Sequence, residues 1–121
     1  MGAVTPVRTA QVLAAVLGGS GVLHLLRPRT YEWLVPPELG SARTWVLGSG
    51  VAEIAAGALL AVPASRRTGG RLAAGLFVAF VPAHLHTFRV VDRPATTVAA
   101  AVRLPLQVPL VRAALKVARA G

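Results

Sequence analysis

The sequence predicts an all-α fold: a single-domain, four-transmembrane-helix bundle with a long first loop lying at the membrane interface. Hydrophobic residues make up 55% of the 121 residues, charged residues make up 14%, and the mean hydropathy is +0.63. A soluble domain carries about 25% charged residues, so this chain lacks the polar side chains that a water-facing surface needs. The apolar residues also fall into four long runs, separated by connections rich in proline and arginine.

The four runs have the lengths that membrane spans require. They cover 9–26, 44–65, 72–88 and 94–111, and a helix needs about 17–25 mostly apolar residues to cross the hydrocarbon layer. The second run contains one charged residue, Glu53, the fourth contains one, Arg103, and the other two contain none. A soluble four-helix bundle would carry charges every few residues on its outer faces. We therefore predict one membrane domain over 1–121, with spans at about 8–27, 44–63, 71–89 and 96–117.

Basic residues beside the spans predict the orientation. One side of the predicted bundle holds seven cations and no loop acid, and the other holds five cations together with all three loop acids. The first set is Arg8, Arg66, Arg67, Arg71, Arg112, Lys116 and Arg119, and the second is Arg27, Arg29, Arg43, Arg89 and Arg93. The positive-inside rule then predicts a multi-pass protein of the bacterial inner membrane with both termini in the cytoplasm.

The long first loop carries aromatic residues close to a span. Tyr31 and Trp33 alternate with charged and apolar residues, and Trp45 stands near the start of the second span. Tyr and Trp prefer the headgroup layer of a bilayer. We expect this loop to lie in the membrane interface and to include a short amphipathic helix.

One acidic residue within the second run is the main candidate for function. Ser49, Gly50 and Gly57 share a helix face with Glu53, and small residues let neighbouring helices approach closely. Glu53 is therefore predicted to face another helix and not lipid. A carboxylate at that depth must be paired, protonated or exposed to a cavity, because its isolated charge is costly in hydrocarbon.

Further polar residues in the predicted outer half complete a candidate cluster. Arg103 is the expected partner of Glu53, with Gln107 one turn along the same helix, His84 in the third span and His24 in the first. Two interpretations stay open at this point. The first is structural: an ion pair and hydrogen-bond network that fixes helix order. The second is functional: either a polar head-group pocket for a quinone or lipid-like ligand, or a proton relay.

Several other chemistries find no support in the sequence. The chain has no Cys, so thiol redox chemistry and zinc–thiolate sites are excluded. His84 and His86 are two residues apart and point to nearly opposite sides of a helix, so no metal site is predicted. The cations punctuate apolar runs and aromatic residues make up 5%, which argues against nucleic-acid binding. We predict no catalytic residue.

Five short motifs place the chain beside a known family. In order they are Gly21-Val22-Leu23-His24 followed by Pro28, Val35-Pro36-Pro37, Ser49-Gly50-Val51-Ala52-Glu53-Ile54, Val81-Pro82-Ala83 and Arg103-Leu104-Pro105-Leu106-Gln107. Together these motifs, which lie within 21–115, resemble those of the small DoxX-like membrane proteins. The resemblance implies a four-helix membrane protein with a long extracytoplasmic first loop. His24, Glu53, Arg103 and Gln107 match the motif positions, whereas His84 stands where relatives often have Asn.

The resemblance also implies an association with membrane redox systems, since relatives are subunits of quinol oxidase or thiosulfate:quinone oxidoreductase systems. We therefore predict a non-catalytic accessory subunit of a membrane redox or respiratory system, with the lipid bilayer and a redox complex as partners. The alternatives are a quinone- or lipid-binding protein with its head-group pocket at Glu53 and Arg103, and a small proton-coupled transporter. No cofactor is predicted unless the ligand is a quinone, and assembly into a homo-oligomer stays open.

Overall fold

The computed structural model describes residues 5–90 and 94–120, and these are almost entirely helical, with no strand among them. The helices are α1 (Pro6–Leu26), α2 (Arg29–Glu32), α3 (Ala42–Ala61), α4 (Arg66–Ala79), α5 (Val81–Val90) and α6 (Pro94–Arg119). One 3₁₀ turn, Pro37–Leu39, precedes α3 and another, Pro63–Ser65, precedes α4. The predicted all-α class is confirmed.

The two longest apolar helices begin and end at residues with clear local reasons. The Thr5 side chain caps α1 by accepting a hydrogen bond from the Arg8 amide, and Ser41 does the same for α3 at the amide of Thr44. Pro63 follows the last turn of α3, where the chain leaves helical geometry at Val62. Among the described residues, two helices are long and apolar enough to cross a membrane, Val7–Leu26 and Ala42–Ala61.

Helix α1 packs antiparallel against α3. Gly57, near the end of α3, lies against Ala14 of α1. Gly50, about two turns earlier in α3, lies against Gly21. Along this contact the residue numbers rise in α1 and fall in α3. The start of α1 and the end of α3 therefore lie at the same end of the molecule.

Helices α4 and α6 continue this antiparallel arrangement. Gly69, in the first turn of α4, lies against Leu60 of α3, and Gly70 lies against Ala118 of α6. Further along, the Gln107 side chain of α6 binds the backbone of Phe77 in α4. The beginnings of α1 and α4 and the ends of α3 and α6 therefore meet at one end of the bundle. We call this the basic end, because it carries Arg8, Arg66, Arg67, Arg71, Arg112, Lys116 and Arg119.

The bundle is close-packed in the half nearer the basic end. The core there joins α1, α3, α4 and α6, and its most fully buried large side chains are Leu17, Leu60 and Val117. Five alanines make up half of this ten-residue core, so the helix backbones approach closely. The opposite half, where α2 and the first connection lie, is more open and holds the polar residues described below.

The third predicted span, 71–89, is interrupted. Helix α4 ends at Ala79 and α5 begins at Val81, with Phe80 between them. Pro82 has no N–H and cannot bond back to the carbonyl of Val78, so the α-helical ladder is broken here. Two of the described helices, α1 and α3, are long and apolar enough to cross a membrane. The described helices therefore do not establish the predicted total of four transmembrane helices.

The first connection, predicted to lie at the interface with a short helix, contains α2 and the 3₁₀ turn. Two contacts fold it back on the start of α3. The indole of Trp45 donates a hydrogen bond to the carbonyl of Leu39 at 2.8 Å, and Arg43 Nε pairs with Glu32 Oε1 at 2.9 Å. The connection is therefore held close to the open half of the bundle.

Candidate ligand site

Glu53 lies in the middle of α3, and its residue is 3% exposed. Its carboxylate faces α1, where the Ser20 hydroxyl donates a hydrogen bond to Oε1 at 3.0 Å. The second oxygen, Oε2, is 3.1 Å from Nδ1 of His24. The carboxylate is thus held by two side chains of α1, four residues apart on one helix face.

The imidazole of His24 decides how the second carboxylate oxygen is satisfied. Nδ1 lies 2.6 Å from the backbone carbonyl of Ser20, an acceptor, so it must carry a proton, and it donates that proton to this carbonyl. Glu53 Oε2 is therefore close to the ring but receives no well-directed hydrogen bond from it, and this buried oxygen has no other donor among the described residues. The other ring nitrogen, Nε2, has no partner among the described residues.

Glycines on both helices bring these groups together. A Cβ added at Gly50 would lie 2.8 Å from the Cβ of His24 and 3.0 Å from the carbonyl oxygen of Gly21. Both distances are well below the separation of about 3.5–4.0 Å at which carbon atoms normally pack. Only glycine at this crossing allows the backbones to come close enough for His24 to reach Glu53.

Tyr31 of α2 covers the outer face of the imidazole. The two rings are stacked, with centroids 4.1 Å apart and planes inclined by 9°. His24 is consequently fixed by a backbone hydrogen bond on one edge and by an aromatic ring on one face. Such fixation is what a site needs in order to present a nitrogen in a defined direction.

A cavity of about 340 Å³ opens beside this group. Its polar lining comes from Ser20, His24, Tyr31, Ser49 and Glu53, and the remainder of its lining is apolar or aromatic. Ligand pockets are commonly about 300–1,000 Å³, mostly apolar, with a few convergent polar groups. The cavity has this character and is large enough for a ring-sized head group.

Two irregular segments of the chain form the apolar walls. Leu34, Val35 and Pro36 line the cavity from the first connection, and Phe80 and Pro82 line it from the break between α4 and α5. The interruption at Phe80 is therefore part of the cavity wall.

The structure brings together two of the five residues predicted to form one cluster, His24 and Glu53. Gln107 has a different partner: it is buried and its Nε2 donates to the carbonyl of Phe77 at 2.5 Å, near the end of α4. The side chains of His84 and Arg103 lie outside the described residues, so the Glu53–Arg103 ion pair stays a prediction.

Ser20 and Tyr31 also belong to the site, through the contacts with Glu53 and His24, although neither was predicted as a site residue. Ser20 stands among glycines in the first span, and Tyr31 was predicted as an interfacial aromatic. The spacing of Ser20 four residues before His24 is the available signal for its role, since both then face the same neighbour. No local pattern connects Tyr31 to His24, because their contact depends on how the chain turns after α1.

The comparisons with known proteins identify a family but no activity. A family model described as "Domain of unknown function (DUF8561)" matches residues 13–118. No curated protein and no solved structure matches the sequence. The resemblance to DoxX-like proteins stays a prediction.

Proposed function

Because this chain belongs to the DUF8561 family, whose description assigns no activity, we propose its function from its own residues: it is a membrane-embedded protein that binds an amphipathic small molecule. The polar end of this ligand bonds to Glu53 and His24, and its apolar body lies along the walls of the cavity. The observation that carries the proposal is the buried Glu53 carboxylate: its Oε2 has no hydrogen-bond donor among the described residues, and Glu53 belongs to the lining of the cavity.

The outer surface supports placement in a bilayer. Large apolar side chains are exposed along both apolar helices, for example Val12 and Val16 of α1 and Val51 of α3, each at least half exposed. Within the most apolar windows of α1 and α3, 22% and 33% of residues are buried. A core helix of a soluble protein would be mostly buried, and soluble monomers rarely expose large contiguous apolar surfaces. A lipid bilayer accommodates these exposed side chains. We propose that the chain crosses it four times, through α1, α3, α4 together with α5, and α6.

The chemistry of the two polar groups narrows the class of ligand. An ionised carboxylate accepts hydrogen bonds and cannot donate them, whereas a neutral imidazole with its proton on Nδ1 accepts at Nε2. With the carboxylate ionised and the imidazole neutral, both groups call for a donor on the ligand. A hydroxyl group on an apolar or aromatic body meets this need, as in the reduced, quinol form of a membrane quinone or in a hydroxyl-bearing lipid. The DoxX-like resemblance, which His24 and Glu53 help to carry, favours the quinol.

Co-purification tests this proposal. The protein is purified from membranes in mild detergent, and the bound lipid fraction is extracted and identified by mass spectrometry. We expect enrichment of a hydroxyl-bearing amphiphile in the wild type. Glu53→Gln should reduce its retention by about tenfold, because a hydrogen bond to a charged group contributes about 1.5–3 kcal/mol. Glu38→Gln, an exposed carboxylate outside the cavity lining, is the matched control and should retain it.

A second variant separates loss of binding from loss of folding. Ala79 lines the cavity and is exposed, so Ala79→Leu adds volume inside the cavity without touching a polar group. Retention should fall in this variant although the purified protein stays monodisperse. Equal lipid content in the wild type, Glu53→Gln and Ala79→Leu proteins would contradict the proposed function.

The sequence also predicts two other functions, an accessory subunit and a transporter, which other experiments test. An accessory subunit of a redox system should co-purify with a partner protein, and a proton-coupled transporter should produce flux in liposomes. Neither property follows from the contacts of the described residues, and both stay predictions.

A further inference from the structure

The basic end of the bundle carries a second surface whose chemistry the cavity does not use. Arg112, Lys116 and Arg119 border an open, shallow surface along the last turns of α6. Their spacing of four and three residues places them along one face of the helix. We call these three residues the basic stripe. Arg112, Lys116 and Arg119 are all exposed.

The basic stripe continues an apolar surface on the same helix. Val108, one turn before Arg112, is 61% exposed, and Pro105, a further turn back, is also exposed. The face thus runs from apolar side chains in the middle of α6 to cations at its end. This order matches a phospholipid, whose acyl chains lie in the hydrocarbon layer and whose phosphate lies at its boundary.

Charge at this end of the bundle is of one sign. Arg71 and Arg8 lie at the starts of α4 and α1, and no acid among the described residues lies there, since Glu32, Glu38 and Glu53 belong to the opposite half or the middle. Two other cations are partly engaged: Arg66 Nε donates to the carbonyl of Leu60 and Arg67 Nε to that of Ala118. A backbone carbonyl is a dipole and does not cancel a full charge, so Arg66 and Arg67 still add to the positive field of the basic end.

We propose that the basic stripe binds the phosphate group of an anionic membrane phospholipid, with the acyl chains of that lipid against Val108. The inference rests on the proposed placement of the chain in a bilayer. Each cation near an anionic membrane surface adds measurably to the attraction, and three on one face select anionic over zwitterionic lipid. The basic end then marks the cytoplasmic leaflet, in agreement with the predicted orientation.

A purely structural role for these cations makes a different prediction. Cations in the last turns of a helix also stabilise it through the helix dipole. That effect does not depend on the lipid present, so it would appear as a change of thermal stability in lipid-free detergent. Lipid selection is therefore the readout that distinguishes the two roles.

The experiment compares two double variants in mixed micelles containing equal amounts of phosphatidylglycerol and phosphatidylcholine. Arg112→Gln with Arg119→Gln removes two charges from the basic stripe, and Arg27→Gln with Arg29→Gln removes two charges from the opposite end. Bound lipids are counted by native mass spectrometry. We expect the wild type and the opposite-end variant to retain phosphatidylglycerol preferentially. In the stripe variant, the ratio of bound phosphatidylglycerol to bound phosphatidylcholine should fall about tenfold. Equal preference in both variants would overturn the proposal.

Two controls complete the design. Excess inorganic phosphate should leave the bound phosphatidylglycerol in place; if it displaces the lipid, the stripe is a site for free phosphate and the lipid proposal fails. Alkaline carbonate extraction of membranes tests the placement separately. A chain released by carbonate contradicts the proposed function and this inference with it, whereas a chain retained without lipid preference contradicts this inference alone.

Discussion

The crossing of α1 and α3 at Gly50 holds the candidate site together, and its replacement by alanine gives a quantitative test. The added Cβ would lie 2.8 Å from the Cβ of His24 and 3.0 Å from the carbonyl oxygen of Gly21. Normal carbon contacts need about 3.5–4.0 Å, so the helices must separate by about 1 Å. Overpacking of this kind costs about 1–3 kcal/mol, against a gain of about 1 kcal/mol in helix propensity when glycine becomes alanine.

Gly48 provides the matched control on the same helix. A Cβ there meets nothing within 4 Å, so Gly48→Ala receives the gain in propensity without the cost of overpacking. We expect Gly50→Ala to be less stable than Gly48→Ala by about 1–3 kcal/mol, measured by reversible unfolding in mixed detergent micelles. The Gly50→Ala protein should also retain less ligand, because separation of the helices moves His24 away from Glu53. Equal stability and equal ligand retention in the two variants would refute the close crossing.

Two further substitutions test contacts around the site. Gln107→Leu leaves the buried carbonyl of Phe77 without its donor, so unfolding free energy should fall by about 1–3 kcal/mol, whereas Gln11→Leu on the exposed surface of α1 should have little effect; similar losses in both would contradict the contact. Tyr31→Phe keeps the ring that stacks on His24 and should keep ligand binding, whereas Tyr31→Leu removes the ring and should weaken binding severalfold, about 0.5–1.5 kcal/mol. Equal binding by both Tyr31 variants would show that stacking has no part in the site.

The helices that sequence reasoning placed best are those whose limits depend on local chemistry. The predicted spans 8–27 and 44–63 correspond to Pro6–Leu26 and Ala42–Ala61, because uninterrupted apolar residues are bounded there by Thr5, Ser41 and Pro63. The third span is different. Pro82 lies within the predicted span, and a proline there either kinks or interrupts a helix. The two outcomes have the same sequence signature, and which occurs depends on whether other groups satisfy the freed carbonyls.

The candidate site was predictable where its contacts follow from residue spacing along a helix. The small residues around Glu53 indicated a close helix contact, and the contact with α1 at His24 and Ser20 is what the structure contains. The partner of Gln107 was not predictable, because the need for a donor at the Phe77 carbonyl arises from the break at Phe80. Tyr31 likewise reaches His24 through the path of the first connection, which no periodicity in the sequence describes.

Tryptophan fluorescence gives the most direct test of the central claim, that the cavity beside Glu53 binds a hydroxyl-bearing amphiphile. The chain has two tryptophans; Trp45 lines the cavity, and Trp33 lies outside its lining. A short-chain benzoquinol is titrated into each single-tryptophan protein in detergent. The Trp33→Phe protein, which keeps Trp45, should show a saturable change that Glu53→Gln weakens by about tenfold, and the Trp45→Phe protein should show none. An equal response from both tryptophans, or a response at Trp45 that Glu53→Gln leaves unchanged, would contradict the account.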